Sequence, residues 1–189
     1  LLTEIQKYYP FADKKITKYA EPFIGGGAVL FDVLNRYDLS EVYISDINAE
    51  LVNCYWAAQQ CVEELIQALT KMQGEYLPLN HEKRREYYTE KRVRFNELKN
   101  GEKKKGDIEK AALMIFLNRT CFNGLFRVNK KGQFNVPMGA YKNPIICDAQ
   151  NLRAVSQKLK AVKIVCGDYK KSEVFVDENT FVYFDPPYR

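Results

Sequence analysis

Asp185 stands in the stretch FVYFDPPYR, where an apolar run delivers an acid, two prolines and a tyrosine. FVYF has the β-branched and aromatic content of a buried strand. Pro186 and Pro187 donate no backbone hydrogen bond and hold φ fixed, so the strand must end there. The Asp185 carboxylate and the Pro186 carbonyl then form a stiff pair of acceptors at a carboxyl strand end, where open α/β sheets hold their ligands. Such a pair suits one chemical problem. The exocyclic amine of a nucleobase is a poor nucleophile, because its lone pair is delocalised into the ring. Two fixed acceptors would draw that amine toward tetrahedral geometry and aim the lone pair at an electrophilic methyl group. Tyr188 would stack on the base, which reaches such a pocket only when flipped out of a duplex. A strand ending in a rigid turn is the plainer reading of the same residues, so other positions must decide.

Two further groups bear on the choice. EPFIGGG places Gly25, Gly26 and Gly27 between a predicted strand and a predicted helix. Glycines there let a ligand approach the backbone, and the helix start offers unpaired N–H groups. The dinucleotide pattern G-x-G-x-x-G is incomplete, because Ala28, Val29 and Leu30 follow the glycines, and no G-x-x-x-x-G-K-[ST] phosphate loop exists. In ISDIN, Asp46 ends a second predicted strand about 20 residues beyond the glycines, the spacing at which an acid accepts ribose hydroxyls. Capping of the following helix is the alternative use of Asp46. Glycine turn and strand-end acid together point to a nucleoside-containing ligand.

Composition sets the bounds. A chain of 189 residues with 46% hydrophobic content is one domain, or one domain with an insertion. No apolar run approaches the ~20 residues that span a bilayer, and no signal-peptide pattern opens the chain. The first residue is Leu rather than Met, so the true start is expected to lie upstream. Five scattered cysteines without C-x-x-C, and one histidine, His81, argue for free thiols in a reducing cytoplasm and against a zinc site. The net charge of +5 is concentrated between Glu82 and Lys105, where ten Lys or Arg face five Glu. That segment is either a solvated helical face or a polyanion-binding one, with nucleic acid the first candidate.

The elements that must position these residues alternate. KYAEPFI, EVYISD, VKIVCGDY and TFVYFDPPY read as strands. AVLFDVL, INAELVNCYWAAQQCVEELIQAL (with Asn48 as a cap), His81 to Lys99, IEKAALMIFLNRT and DAQNLRAVSQKLKA (capped by Asp148) read as helices. This order predicts an α/β fold with a mainly parallel sheet covered on both faces. NGEKKKGD reads as a solvent loop. FRV and QFNV flank NKKG, a hairpin with Gly132 at positive φ. We expect residues 1–75 and 145–189 to form the ligand-binding and catalytic parts, and residues 76–144 a helical and hairpin insertion between the second and third strands.

EPFIGGG, SDIN, NRTCFNGLFRVNKKGQFNVPMG and DPPY, in that order, resemble the Dam-type DNA adenine-N6 methyltransferases over nearly the whole chain. The resemblance implies a Rossmann-like methyltransferase fold, S-adenosylmethionine as donor, and an adenine in a short duplex site that usually begins GAT. It assigns Phe23, Gly25 and Gly27 to the cofactor motif, Asp46 to the ribose, Ile47 to the adenine ring, and Asp168 and Tyr169 to the cofactor's adenine side. Asp185 matches the acid that touches both the methionine portion and the target amine, with Pro186, Pro187 and Tyr188 completing the catalytic motif. Phe122 and Asn123 match residues that wedge into the duplex, and Leu125, Arg127 and Pro137 match base-reading positions. Arg127 would contact guanine O6 and N7. Arg119, Asn129 and Lys130 complete the expected DNA-binding set. Core packing for Phe122 and a phosphate or ion-pair role for Arg127 remain the plainer alternatives. Family members carry a K-W-x-G-G-K segment before the first residues seen here and continue past DPPY, so this chain is expected to be part of a longer protein. Ala140 stands where some members place a phosphate-binding arginine. A cytosine-N4 methyltransferase and a non-catalytic DNA-binding relative are the competing readings, and a restriction endonuclease is a candidate partner.

Overall fold

Three short runs rich in Val, Ile, Tyr and Phe and one KYAE run pair side by side in the computed structural model, which describes residues 1–12, 14–99 and 105–187. Lys18–Glu21 (β1), Glu41–Asp46 (β2), Val162–Cys166 (β3) and Thr180–Val182 (β4) form one sheet of order β3-β2-β1-β4, parallel throughout. Lys18 lies opposite both Glu41 and Thr180, and Val42 lies opposite Val162. Parallel neighbours need crossover connections. The one between β2 and β3 contains a second body of the protein.

The first body comprises Leu1–Val52 and Gln157–Arg189. It holds the sheet, a single helical turn at Leu2–Ile5 (α1) and the helix Ala28–Arg36 (α2). Side chains alternate across β1 as the pleat requires. Tyr19 points into an aromatic cluster with Phe11 and Phe181, to which Tyr9 and Tyr37 add their rings. Ala20 points the other way, to Tyr43 and Phe175, whose rings stack at 5.3 Å, with Val165 and Val182 at the margin. β2 is buried along Val42–Ser45, as expected of a central parallel strand. FVYF departs from expectation. Strand β4 is three residues long, Phe181, Val182 and Tyr183 are half-buried, and Phe184 is 51% exposed. β4 is an edge strand of the described sheet, so pairing on one side leaves the stretch half covered.

The second body, Asn53–Ser156, is helical apart from the hairpin segment. The single periodic run from Asn48 to Leu69 is two helices, Ala49–Gln60 (α3) and Val62–Tyr76 (α4), broken at Cys61, whose φ of −138° and ψ of 46° leave the helical region. His81–Lys99 (α5) has the bounds expected for it, and Ile108–Thr120 (α6) is buried on most of its surface. Both α4 and α5 pack on α6. Ala149–Leu159 (α7) precedes β3 in the chain. The division places residues 53–75 and 145–156 with the helices, whereas the sequence pattern groups them with the sheet. Packing of α4 on α6 accounts for the first of these differences. Most of the expected loop NGEKKKGD lies outside the described residues.

Candidate active site at the carboxyl ends of the strands

A parallel sheet presents all its strand ends on one edge. In the order β3-β2-β1-β4, the chain runs from β1 to β2 on one side and returns to place β4 on the other. The junction of β1 and β4 is therefore the switch point at which open α/β sheets leave a crevice. The loops after β1 and β4 flank it. The loop after β1 carries Phe23 and the glycines. Gly25 (φ 48°) and Gly27 (φ 72°) both occupy the left-handed region, which a side chain rarely tolerates, and Gly27 stands at the N-cap of α2.

Asp46 ties this loop to the next strand. One carboxylate oxygen accepts the Gly25 N–H at 3.2 Å, and the other accepts the Asn48 N–H at 2.9 Å. Capping of α3 falls to Asn48, whose side-chain oxygen accepts the N–H groups of Glu50 and Leu51 at 3.1 Å each. Asp46 is thus fixed without being consumed, since a carboxylate has about four lone-pair directions. Its backbone carbonyl accepts the Gly167 N–H at 2.9 Å, which joins the ends of β2 and β3. Ile47 beside it is 75% exposed.

After β3, Asp168 accepts the Lys170 N–H at 3.0 Å and so starts a short 3-10 turn. The turn lays the Tyr169 ring on Phe23, stacked at 5.6 Å. Phe184, in the loop after β4, stands 6.1 Å from Phe23 and 6.3 Å from Tyr169. Three loops thus contribute one aromatic wall, with Tyr169 and Phe184 substantially exposed. Asp185, Pro186 and Pro187 follow, all exposed. No described residue donates a hydrogen bond to the Asp185 carboxylate. Tyr188 lies outside the described residues.

The structure adds Glu21, the acid within EPFIGGG to which the sequence pattern gives no role. Glu21 ends β1 and is 3% exposed. Its carboxyl accepts the Tyr19 hydroxyl at 2.6 Å. Burial pushes its pKa up to about 7, hydrogen bonds from Tyr19 and the Leu30 backbone oppose the shift, and the charge of Asp185 adds to it. The signal in the sequence is an acid inside an apolar strand run. Phe184 is a second addition, hidden because FVYF reads as core.

The expected DNA-binding residues all belong to the helical body. Arg119 is exposed in the last turn of α6. Phe122 (51% exposed) and Asn123 (φ 53°) form a single tight turn with Gly124. The Asn118 side chain closes the turn by donating to the Gly124 carbonyl at 2.7 Å. Leu125, Arg127, Lys130 and Pro137 are exposed. The expected hairpin forms: Val128 bridges Phe134, Asn135 N–H donates to the Arg127 carbonyl at 3.2 Å, and Gly132 has φ 74°. Asn129 has an internal task. Its side-chain oxygen accepts the N–H groups of Lys131 and Gln133, which organises the turn. Arg127 donates through Nε and one terminal nitrogen to the Asn135 side chain (2.9 Å) and carbonyl (3.3 Å). Two of its five N–H groups are used there, and the outer pair of terminal nitrogens retains donors for a two-point contact.

The basic segment is partly scaffold. Arg84 donates to the carbonyls of Leu77 and Lys142, Arg94 pairs with Glu109 through two bonds, and Lys91 lies over the Tyr87 ring. The side chains of Lys83 and Arg85 make no hydrogen bond or ion pair with a described residue. None of the five cysteines is in a disulfide. Among the described residues no cluster of metal-ligating side chains occurs, and no helix is long and apolar enough to cross a membrane.

Comparison with known proteins converges on one family. A family model described as D12 class N6 adenine-specific DNA methyltransferase matches residues 1–189. The chain is 49% identical over 191 residues to the Type II methyltransferase M.MjaIII of Methanocaldococcus jannaschii, covering all of this chain and 65% of that protein. It is 39% identical over 190 residues to the Type II methyltransferase M1.LlaDCHI of Lactococcus lactis subsp. cremoris, covering 61% of it. Against the DNA adenine methylase of Escherichia coli (strain K12) the identity is 31% over 188 residues, 60% of that protein. The chain therefore spans less than two thirds of the length of these relatives.

Proposed function

We propose, on the premise that this chain belongs to the D12 class N6 adenine-specific DNA methyltransferase family, that the protein moves a methyl group from S-adenosylmethionine to an adenine N6 amine in a short GAT-containing duplex site. The observation that supports this reading is that the DPP segment follows β4, the neighbour of β1, with Phe184 just before it 6.1 Å from Phe23 of the glycine loop, and that Asp46 pins that loop through the Gly25 N–H.

The residues at the edge fit the donor. Asp46 has acceptor capacity left for ribose hydroxyls, and the left-handed Gly25 and Gly27 leave the loop backbone open to close approach. Phe23, Tyr169 and the exposed Ile47 offer apolar faces for a purine ring, with Asp168 at the same strand end. When bound, S-adenosylmethionine supplies a methyl carbon made electrophilic by its sulfonium. The protein supplies position. The Asp185 carboxylate and the Pro186 carbonyl accept the two N–H groups of the target amine and orient its lone pair. Pro187 keeps the acceptors from relaxing, and Tyr188 stacks on the flipped base.

In the hairpin, Phe122 and Asn123 enter the duplex near the flipped base, Leu125 and Pro137 contact base edges, and Arg127 reads a guanine. Arg119 and Lys130 meet phosphate. Asn129 acts through the turn it holds. Two relatives bear the name Type II methyltransferase, which supports a restriction-modification setting with a cognate endonuclease as partner. Five cysteines outside any disulfide suit a reducing cytoplasm.

The test is methyl transfer from labelled donor to duplexes varied around GAT, by the complete protein and by Asp185→Ala. Activity confined to GAT-containing duplexes and lost in Asp185→Ala is expected. Undiminished transfer by Asp185→Ala overturns the assignment.

A further inference from the structure

The segment that returns from the hairpin tip has two edges. Gln133 and Asn135 turn their backbone groups to the outgoing strand: Asn129 N–H donates to the Gln133 carbonyl, and Asn135 N–H donates to the Arg127 carbonyl. Both backbone groups of Phe134 and the carbonyls of Gly132 and Val136 turn the other way, while the Gly132 N–H closes the turn onto the Asn129 carbonyl; such an edge is left unpaired unless something covers it. Here α5 covers it with side chains. Tyr88 Oη donates to the Val136 carbonyl at 2.9 Å, with Arg92 reaching the same oxygen at 3.4 Å. Asn96 both accepts the Phe134 N–H at 2.8 Å and donates to the Phe134 carbonyl at 3.1 Å. Lys99 Nζ donates to the Gly132 carbonyl at 2.8 Å. At about 100° per residue, positions 88, 92, 96 and 99 fall within roughly 80° of arc on one helix face. Asn96 is the central rung and the one that satisfies both backbone groups of a residue, as a neighbouring strand would.

We propose that Asn96 is a positioning residue for sequence discrimination: by standing in for a third strand it locks the register in which the hairpin presents Leu125, Arg127 and Pro137. The inference rests on the hairpin reading DNA. Register is the quantity at stake because side chains alternate along a strand, so a one-residue slip would exchange the buried Phe134 and Val136 for the outward Asn135 and Pro137. A base-reading site held about 1 Å too loosely loses discrimination before it loses affinity, since phosphate contacts do not depend on that register.

Asn96→Ala removes both rungs at Phe134, and Tyr88→Phe removes one hydroxyl while keeping the ring in place. The measurements on the complete protein are kcat/KM for a cognate duplex and for duplexes with one base pair changed, the KM for donor, and thermal unfolding. We expect Asn96→Ala to lower the cognate-to-changed ratio by about tenfold or more with donor KM unchanged. Tyr88→Phe should lower the ratio by a smaller factor of about two to five. Should Asn96→Ala fail to fold, Tyr88→Phe alone decides. A protein that loses thermal stability but keeps its full discrimination ratio in both variants overturns the positioning role while leaving DNA reading intact. A wild-type protein with no preference among the duplexes overturns both.

Discussion

Glu21→Gln isolates the buried acid at the end of β1. The folded carboxyl titrates at about 7 against an ordinary 4.5. Below pH 4.5 the group is neutral in both folded and unfolded chains, and its favourable contribution is complete. As pH rises the unfolded chain ionises first, so that contribution falls away until the folded group also ionises near pH 7. At ~1.36 kcal/mol per pH unit, the interval corresponds to about 3 kcal/mol of stability, lost mostly between pH 5 and pH 8. Glutamine keeps an oxygen for the Tyr19 hydroxyl and the Leu30 N–H but has nothing to ionise. Urea unfolding of both proteins at pH 5 and pH 8 should therefore show Glu21→Gln gaining on wild type by about 2–3 kcal/mol at the higher pH. Asp185→Asn should reduce the wild-type loss, because the Asp185 charge is one of the causes that raise the Glu21 pKa. If the two stability-against-pH curves of wild type and Glu21→Gln run parallel, the carboxyl is not buried as described and the reasoning fails.

Two further outcomes concern DNA. Arg127→Ala should cost ~1–3 kcal/mol on the cognate duplex and relax one base position, measured by binding to a panel of single-base changes; uniform weakening across the panel would mean a phosphate contact instead. Neutralising Lys83 and Arg85, the α5 cations whose side chains make no hydrogen bond or ion pair with a described residue, should reduce the slope of log K against log salt by about 0.9 for each phosphate that is no longer neutralised. Neutralising Arg94, which is paired with Glu109, should leave that slope nearly unchanged.

How far the sequence reveals the molecule depends on the range of the interaction. Local signals are legible. Hydrophobic periodicity and charge bound α5, the run EVYISD bounds β2, and Asn48 and Asp148 cap their helices as expected. The strand-end position of Asp46 follows from the same local patterns, whereas β4 stops at Val182, three residues before Asp185. The break at Cys61 is invisible, because apolar spacing continues across it. Exposure of Phe184 is hidden too, since a strand's burial depends on whether it is central or at an edge, and strand order is a long-range property. The pairing of α5 with the returning hairpin strand is hidden more deeply. Its rungs join residues 33 to 48 positions apart, and Arg92 and Lys99 read as members of a solvated charged face.

Strand β1 takes its two neighbours from very different distances along the chain: β2 begins at Glu41, while β4 pairs residues 180–182 with residues 18–20. The Gly25–Asp46 clasp closes over a short stretch and can form early, whereas Asp185 reaches the same edge only after the whole helical body has been bridged, a slow long-range closure. The β1–β2 flank of the sheet edge is thus expected to close before the β1–β4 flank.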